Sequence, residues 1–154
     1  MQIKDLEGQK IGICVSGGLD SKSVTARLIE AGLDVVGFTA DLAQPDESDI
    51  QDVARRMSAT GVDTKIVDLR DSMAKAAMLV IKAQARYDGG YWNTTGIARA
   101  VTVHGLLDAM KAEGCTVLAH GATGRGNDQI RFERYTNVLE PTMGVYAAWR
   151  DPYL

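Results

Sequence analysis

The chain has 154 residues and a mass of 16.6 kDa, which is enough for one globular domain with its own hydrophobic core. Its 17 Lys+Arg and 20 Asp+Glu give a net charge of −3, which argues against a nucleic-acid binder held by electrostatics alone. No apolar run approaches the length of a membrane span, and the charged first residues lack a secretory signal core. Cys14 and Cys115 are far apart, which disfavours a disulfide framework, a zinc site and a redox dithiol. We therefore expect a cytoplasmic protein without membrane or nucleic-acid partners.

Short apolar runs alternate with helical patterns along the chain. The runs predict buried parallel strands at 11–15, 35–39, 65–68, 117–120 and 145–148. Helices are predicted at 21–31, 49–60, 72–86 and 97–113. Right-handed crossovers then give an α/β fold, a doubly wound five-stranded parallel sheet with helices on both faces. Residues 123–144 are predicted to be irregular, and their polar residues follow a strand, where open α/β sheets bind ligands.

The turn between the first strand and the first helix has the features of a phosphate-binding loop. Its sequence is Ser16-Gly17-Gly18-Leu19-Asp20-Ser21. Paired glycines let successive backbone N–H groups approach one anion, and the helix N-terminus adds its positive dipole end. The serines add hydroxyl donors, and Asp20 can position a Mg²⁺ that accompanies the phosphates. A tight turn with a capped helix, which needs no ligand, explains the same hexapeptide, so both interpretations stay open.

The loop resembles the S-G-G-x-D-S loop of ATP pyrophosphatases (the PP-loop superfamily), which cleave ATP between the α- and β-phosphates. Three further segments follow it: T-A-D-L-A-Q-P-D-E at 39–47, Y-W-N-T-T-G-I-A-R-A at 91–100, and H-G-A-T-G-R-G-N-D-Q-I-R-F-E at 120–133. In this order and spacing, the chain resembles the N-terminal nucleotide-binding domain of argininosuccinate synthase over residues 11–151. The N-T-T and Q-P-D-E motifs are similar to the bacterial branch of that family.

The resemblance implies an AMP-forming ligase of arginine biosynthesis and the urea cycle, with an adenine nucleotide alpha hydrolase-like, Rossmann-like fold. Such an enzyme uses Mg²⁺ and ATP to join citrulline to aspartate, through a citrullyl-adenylate, and releases pyrophosphate and AMP. The resemblance also implies that 1–154 is a single nucleotide-binding domain, that the family's C-terminal catalytic and oligomerisation domain is absent, and that the full-length form is a homotetramer. An excised domain and a natural short relative with a separate partner are both compatible with this length.

The family pattern is carried over residue by residue. It implies ATP contacts at Ser16, Gly17, Gly18, Leu19, Asp20, Ser21, Ala40 and Gly121. It implies citrulline contacts at Tyr91, Arg99, Asn127 and Arg131. It implies aspartate contacts at Thr95, Thr123, Asn127 and Asp128. Arginine forks suit the carboxylates of two amino-acid substrates, and no protein metal site is expected.

Some positions depart from the family pattern. Cys14-Val15 stands where the family has alanine and an aromatic residue, Ser21-Lys22 replaces Thr-Ser, and Gly96 replaces a serine or proline beside the citrulline site. His120 ends a strand beside the site, so both a lining role and simple packing stay open. Two other functions also stay open. The chain could be an ATP pyrophosphatase for another ureido, amide or tRNA acceptor, or a non-catalytic module that binds ATP or AMP.

Overall fold

The computed structural model describes residues 1–45, 49–124 and 126–154. Its main element is a five-stranded parallel sheet with the strand order β3-β2-β1-β6-β7. These strands are β1 Lys10–Cys14, β2 Asp34–Asp41, β3 Thr64–Asp68, β6 Val117–His120 and β7 Gly144–Ala147. The predicted fold class and all five predicted strands are confirmed. Asp46 and Glu47 of the Q-P-D-E motif, and Arg125 of the 120–133 segment, lie outside the described residues.

Five helices are found in the described part of the chain. They are α1 Leu19–Glu30, α2 Gln51–Ser58, α3 Arg70–Lys82, α4 Thr94–Ala112 and α5 Asn127–Leu139. A two-stranded antiparallel hairpin, β4 Arg86–Tyr87 and β5 Tyr91–Trp92, joins α3 to α4. Short 3-10 turns occupy Ile3–Leu6 and Ala148–Arg150. Within the described ranges, no helix combines the length and the apolar character that a membrane crossing requires.

Hydrophobic residues cover both faces of the sheet, which explains why its strands are apolar along their whole length. On one face, Ile11 and Ile13 of β1 join a cluster with Val24 and Leu28 of α1. On the other face, a second cluster includes Phe38 of β2 and Leu118 of β6; its buried helical members are Val103, Leu106, Leu107 and Met110 of α4 and Phe132 of α5. The cavity described below is bounded by this second layer of helices.

One glycine lets α4 approach the centre of the sheet. A Cβ built at Gly12 of β1 would lie 2.6 Å from Cγ of Met110, so a larger residue would push α4 away from the sheet. Since α4 also carries Arg99, this close packing fixes the height of a predicted site residue above the strands.

The prediction of an irregular stretch over 123–144 is wrong for most of its length, because α5 occupies Asn127–Leu139. The buried positions of α5 are Gln129, Phe132 and Thr136, which have helical spacing but include only one apolar residue. The apolar period that indicates a helix was therefore missing. The predicted helix 72–86 also ends earlier, at Lys82, and Arg86 belongs to the hairpin instead.

Candidate active site

A cavity of about 360 Å³ opens at the carboxyl ends of β1, β2 and β6. The chain leaves β1 toward β2 and β3 on one side, and later returns to place β6 on the other side of β1. This reversal of strand order creates the crevice in which open α/β sheets bind their ligands. Cys14 and His120 are paired across β1 and β6 at this point, and both line the cavity.

The cavity brings together residues that were predicted for different ligands. Those that line it are Ser16, Asp20, Ser21, Ala40, Gly121, Arg99 and Asp128. The first five were predicted to contact ATP, Arg99 to contact citrulline and Asp128 to contact aspartate. A nucleotide site and an amino-acid site would therefore share one crevice.

The predicted phosphate loop adopts a conformation that requires glycine. Gly17 has a φ of +72°, which side chains rarely adopt, and a Cβ there would lie 3.1 Å from the guanidinium of Arg56. Gly18 is the extended N-cap residue of α1, and among the described residues no side chain caps this helix start. The N–H groups of the first turn are thus available to an anion, an arrangement that known phosphate-binding loops use.

The remaining loop residues contribute differently. Leu19 is 79% exposed and is not among the residues that line the cavity. The Ser21 hydroxyl is buried and donates to the Gly18 carbonyl at 3.0 Å. Its proton is therefore used to close the first turn rather than offered to a ligand. Asp20, in the same turn, lines the cavity.

An ion-pair cluster contributes Arg99 and Asp128 to the lining of the same cavity. Asp128 at the start of α5 accepts from Arg99 Nη2 of α4 at 2.8 Å and from Arg131 Nη1 at 3.2 Å. The hydrogen bond from Arg99, followed by the charges of both guanidinium groups, holds the pKa of Asp128 below its usual value. Asp128 therefore stays ionised, and it orients two arginine forks that are suited to carboxylate ligands.

Other predicted residues lie beyond the cavity lining. Tyr91 and Thr95 are exposed and hydrogen-bonded to each other, which places the hairpin next to the start of α4. The bond to Thr95 also lowers the pKa of Tyr91. Thr123 and Asn127 are exposed near the beginning of α5, where Arg131 pairs with Asp128. These residues are placed near the charged cluster by sequence, but the structure does not bring their side chains into the cavity.

His120 is a lining residue for which the sequence left two interpretations open. It is 1% exposed, lines the cavity and stacks on Phe132 with ring centroids 4.9 Å apart. Its Nδ1 accepts from the Ala122 N–H at 3.3 Å. Burial lowers its pKa to about 4, despite the opposing charges of Glu133 and Asp128, so the ring is neutral near pH 7.

Thr102 is a lining residue that the sequence analysis missed. It is 6% exposed and lies three residues after Arg99, so both project from the same side of α4. Its spacing from Arg99, and a hydroxyl on a helix face that also carries the buried Val103 and Leu106, were the sequence features that could have indicated Thr102 as a lining residue.

Cys14 also lines the cavity, but the sequence predicts an unreactive thiol there. Burial raises the pKa of the Cys14 thiol to about 12, so it remains protonated at neutral pH.

The loop after β6 is held by a contact from the end of the chain. The Trp149 indole N–H donates to the Gly121 carbonyl at 2.9 Å. A Cβ at Gly121 would lie 3.5 Å from the Asp20 carbonyl, so this loop packs directly against the phosphate loop. Among the described residues, no group of three His, Cys, Asp or Glu side chains is arranged to hold a metal ion.

Sequence comparisons give a consistent result. The family model described as Arginosuccinate synthase N-terminal HUP domain matches residues 10–154. The chain is 38% identical over 148 residues to an argininosuccinate synthase of Erythrobacter litoralis, which covers 93% of the chain. It is 40% identical over 146 residues to argininosuccinate synthase 1 of Rhizobium johnstonii, also covering 93%, and 36% identical over 147 residues to the enzyme of Syntrophus aciditrophicus, covering 94%. In each case it spans 36% of the relative's own length.

Solved structures share the fold at low sequence identity. The predicted subunit of a tRNA methyltransferase from Methanocaldococcus jannaschii has a TM-score of 0.55 at 18% identity, covering 92% of this chain and 68% of that one. An NH3-dependent NAD synthetase from Campylobacter jejuni has a TM-score of 0.57 at 16% identity, covering 92% of this chain and 69% of that one. NMN synthetase from Francisella tularensis has a TM-score of 0.58 at 9% identity, covering 91% and 66%. At these identities the likeness shows the fold alone.

Proposed function

The chain belongs to the argininosuccinate synthase N-terminal HUP domain family, and from that premise we propose that it is the ATP-binding part of an enzyme that ligates citrulline and aspartate. The products are argininosuccinate, AMP and pyrophosphate. The chain spans only 36% of its curated relatives, so this activity is proposed for an enzyme of their kind, to which the chain contributes the ATP-binding part. Its place in arginine biosynthesis, its homotetrameric state and its cytoplasmic location belong to the same proposal.

The observation that carries the proposal is the loop after β1, which contributes Ser16 and Asp20 to the same cavity lining as the Arg99–Asp128 pair. The positive φ of Gly17 and the uncapped start of α1 fit a bound pyrophosphate group, which the first-turn N–H groups would hold. Ala40 and Gly121 would line the adenosine part of the nucleotide. Mg²⁺ would accompany the phosphates near Asp20 and offset their negative charge.

The charged cluster in the same cavity supports two amino-acid substrates. Arg99 and Arg131 provide two guanidinium forks, and Asp128 provides a carboxylate for an ammonium group. Citrulline would contact Tyr91, Arg99, Asn127 and Arg131. Aspartate would contact Thr95, Thr123, Asn127 and Asp128.

The proposed chemistry proceeds in two displacements. In the first, the ureido oxygen of citrulline forms a bond to the α-phosphorus as the bond to the β-phosphate oxygen breaks, so pyrophosphate leaves. In the second, the aspartate amine attacks the activated ureido carbon, AMP departs with the C–O bond electrons, and the amine loses a proton. The residues lining the cavity would act through positioning and charge stabilisation, since the ureido oxygen must meet the α-phosphorus in line and the amine must then reach the activated ureido carbon.

Pyrophosphate release from Mg-ATP tests the proposed function, with citrulline and aspartate added singly and together. The experiment uses the 154-residue chain and, in parallel, the chain supplied with the C-terminal domain of a curated relative. Pyrophosphate release that requires citrulline supports the proposal. Release of orthophosphate, or release of pyrophosphate that is indifferent to citrulline in both samples, contradicts it.

A further inference from the structure

Three residues that line the cavity each carry one buried polar atom without a hydrogen-bond partner. These atoms are Arg99 Nε, Thr102 Oγ1 and His120 Nε2, and none has a partner among the described residues. A buried polar atom that is left unpaired costs roughly 1–3 kcal/mol, so three of them on the lining residues of one cavity require an explanation. Two further buried atoms of this kind, on Thr64 and Thr136, belong to residues outside the cavity lining.

The donor character of these atoms follows from their local contacts. Because His120 Nδ1 accepts the Ala122 N–H, the neutral ring carries its proton on Nε2, which is the unpaired atom. Arg99 Nε is a fixed donor, and the Thr102 hydroxyl can rotate to donate. Three residues of the cavity lining therefore carry donors that no described group uses.

The local charges favour an uncharged acceptor for these donors. The guanidinium of Arg99 is already paired with Asp128 at 2.8 Å. The carboxylates of Asp128 and Glu133 both act on His120, and the imidazole itself is neutral. An anionic oxygen beside His120 would meet an uncharged ring and the negative charges of Asp128 and Glu133. A carbonyl, ureido or hydroxyl oxygen fits this set of donors better.

We propose that Thr102 and His120, together with Arg99 Nε, form a subsite that binds an uncharged oxygen atom of the ligand in this cavity. The inference rests on the proposed function, in which two such oxygens are present: a ribose hydroxyl of the nucleotide and the ureido oxygen of the acceptor. Thr102 and His120 act as binding residues that discriminate ligands carrying this oxygen from those that lack it.

Two substitutions remove the donors while preserving the shape of the site. Thr102→Val replaces a hydroxyl by a methyl group, and His120→Phe keeps a ring that can stack on Phe132. The matched control is Thr136→Val, which removes an equally buried and equally unpaired hydroxyl from a residue outside the cavity lining. We expect each donor variant to weaken ligand binding by roughly 3- to 10-fold, the loss of one hydrogen bond, and the control to leave it unchanged.

Calorimetric titrations distinguish the two sources of the oxygen. Weaker binding of Mg-ATP by Thr102→Val, with no effect on 2′-deoxy-ATP, assigns the subsite to the ribose. Weaker binding of citrulline alone assigns it to the ureido oxygen. Unchanged affinity for both ligands in both donor variants would overturn the subsite while leaving the proposed function intact.

A measurement on His120 itself is independent of the proposed function. In the chain labelled with ¹⁵N-histidine, we expect His120 to carry its proton on Nε2 at pH 7, and Mg-ATP, citrulline or methylurea to shift that resonance saturably. Methylurea is included as the smallest ureido probe, so the subsite is tested even if the chain binds neither substrate. A proton on Nδ1, or no saturable shift with any of the three probes, would overturn the inference.

Discussion

Arg99 of α4 donates to Asp128 of α5 at 2.8 Å, and this ion pair links the two helices at the mouth of the cavity. Phe132, one turn after Asp128, lies beneath the same guanidinium at 5.7 Å from its ring centroid and also stacks on His120. The position of the Arg99 fork is thus set by a carboxylate and an aromatic ring of one helix. Changes on α5 should therefore alter amino-acid binding more than nucleotide binding.

Asp128→Ala is the direct test of this separation. Removing the carboxylate should weaken the affinity for aspartate by roughly ten-fold or more, because charge-assisted hydrogen bonds are lost. The affinity for Mg-ATP should change by only about two- to three-fold. Titrations of both ligands measure the two effects. Asp108→Ala removes an exposed carboxylate from α4 and serves as the control. Equal losses of aspartate and Mg-ATP binding in Asp128→Ala would show that its role in the site is assigned incorrectly.

Gly17→Ala should weaken Mg-ATP binding at least ten-fold. A side chain at a φ of +72° costs about 1–2 kcal/mol, and the new Cβ would press on the Arg56 guanidinium at 3.1 Å. Gly32→Ala is the matched control, because Gly32 has a φ of +74° with no atom within 4 Å of a built Cβ. Urea unfolding should show a loss of stability in both variants, and titration should show a loss of nucleotide affinity in Gly17→Ala alone. Normal Mg-ATP binding by Gly17→Ala would contradict the loop assignment.

Burial of neutral His120 should make the folded chain less stable in mild acid. Its pKa is about 4 in the folded chain and about 6.5 when unfolded, so the unfolded state binds the extra proton between these values. The contribution of His120 to the free energy of unfolding is fully present above about pH 6.5. It falls by up to about 1.4 kcal/mol per pH unit as the pH drops toward 4. Urea unfolding of wild type and His120→Phe measures this, and the difference between them should change across that window. The exposed His104, replaced by Gln, provides the control. A constant difference between wild type and His120→Phe would contradict the buried, neutral assignment.

Asp151 should stabilise the fold without contributing to the cavity. Its Oδ2 accepts from the Ile3 N–H at 2.6 Å and from the Tyr146 hydroxyl at 2.9 Å, joining the two ends of the described chain to β7. Asp151→Ala should lower the free energy of unfolding by about 2–3 kcal/mol, and Tyr146→Phe, which loses one of these bonds, by about 1 kcal/mol. Mg-ATP affinity should be unchanged in both. A strong loss of affinity in well-folded Asp151→Ala would contradict this separation.

The sheet and its crevice were predictable because they are recorded in local patterns. Continuous apolar runs indicated the strands, and the strand-turn-helix around Gly17 and Gly18 indicated the loop. α5 was missed because Gln129 and Thr136 occupy two of its buried positions, so burial there does not follow hydrophobicity. The hairpin was missed because strands of two residues, Arg86–Tyr87 and Tyr91–Trp92, are too short to show a period.

The composition of the cavity was only partly predictable. The motifs indicated Arg99 and Asp128, but their 2.8 Å contact depends on how α4 and α5 pack. The importance of Thr102 and His120 lies in the hydrogen bonds that they lack, which is a property of the tertiary structure and not of residue spacing. A threonine in an apolar helix face has many possible packing roles until the surrounding atoms are known.

Equilibrium binding of Mg-ATP to the chain and to its Gly18→Val variant tests the central claim most directly. Gly18 is the N-cap residue of α1, where the backbone N–H groups are expected to meet the phosphates. The account predicts saturable one-to-one binding by the wild type, competition by pyrophosphate, and at least a ten-fold weaker affinity in a folded Gly18→Val variant. Absence of saturable binding by the wild type, or equal affinity in the variant, would contradict it.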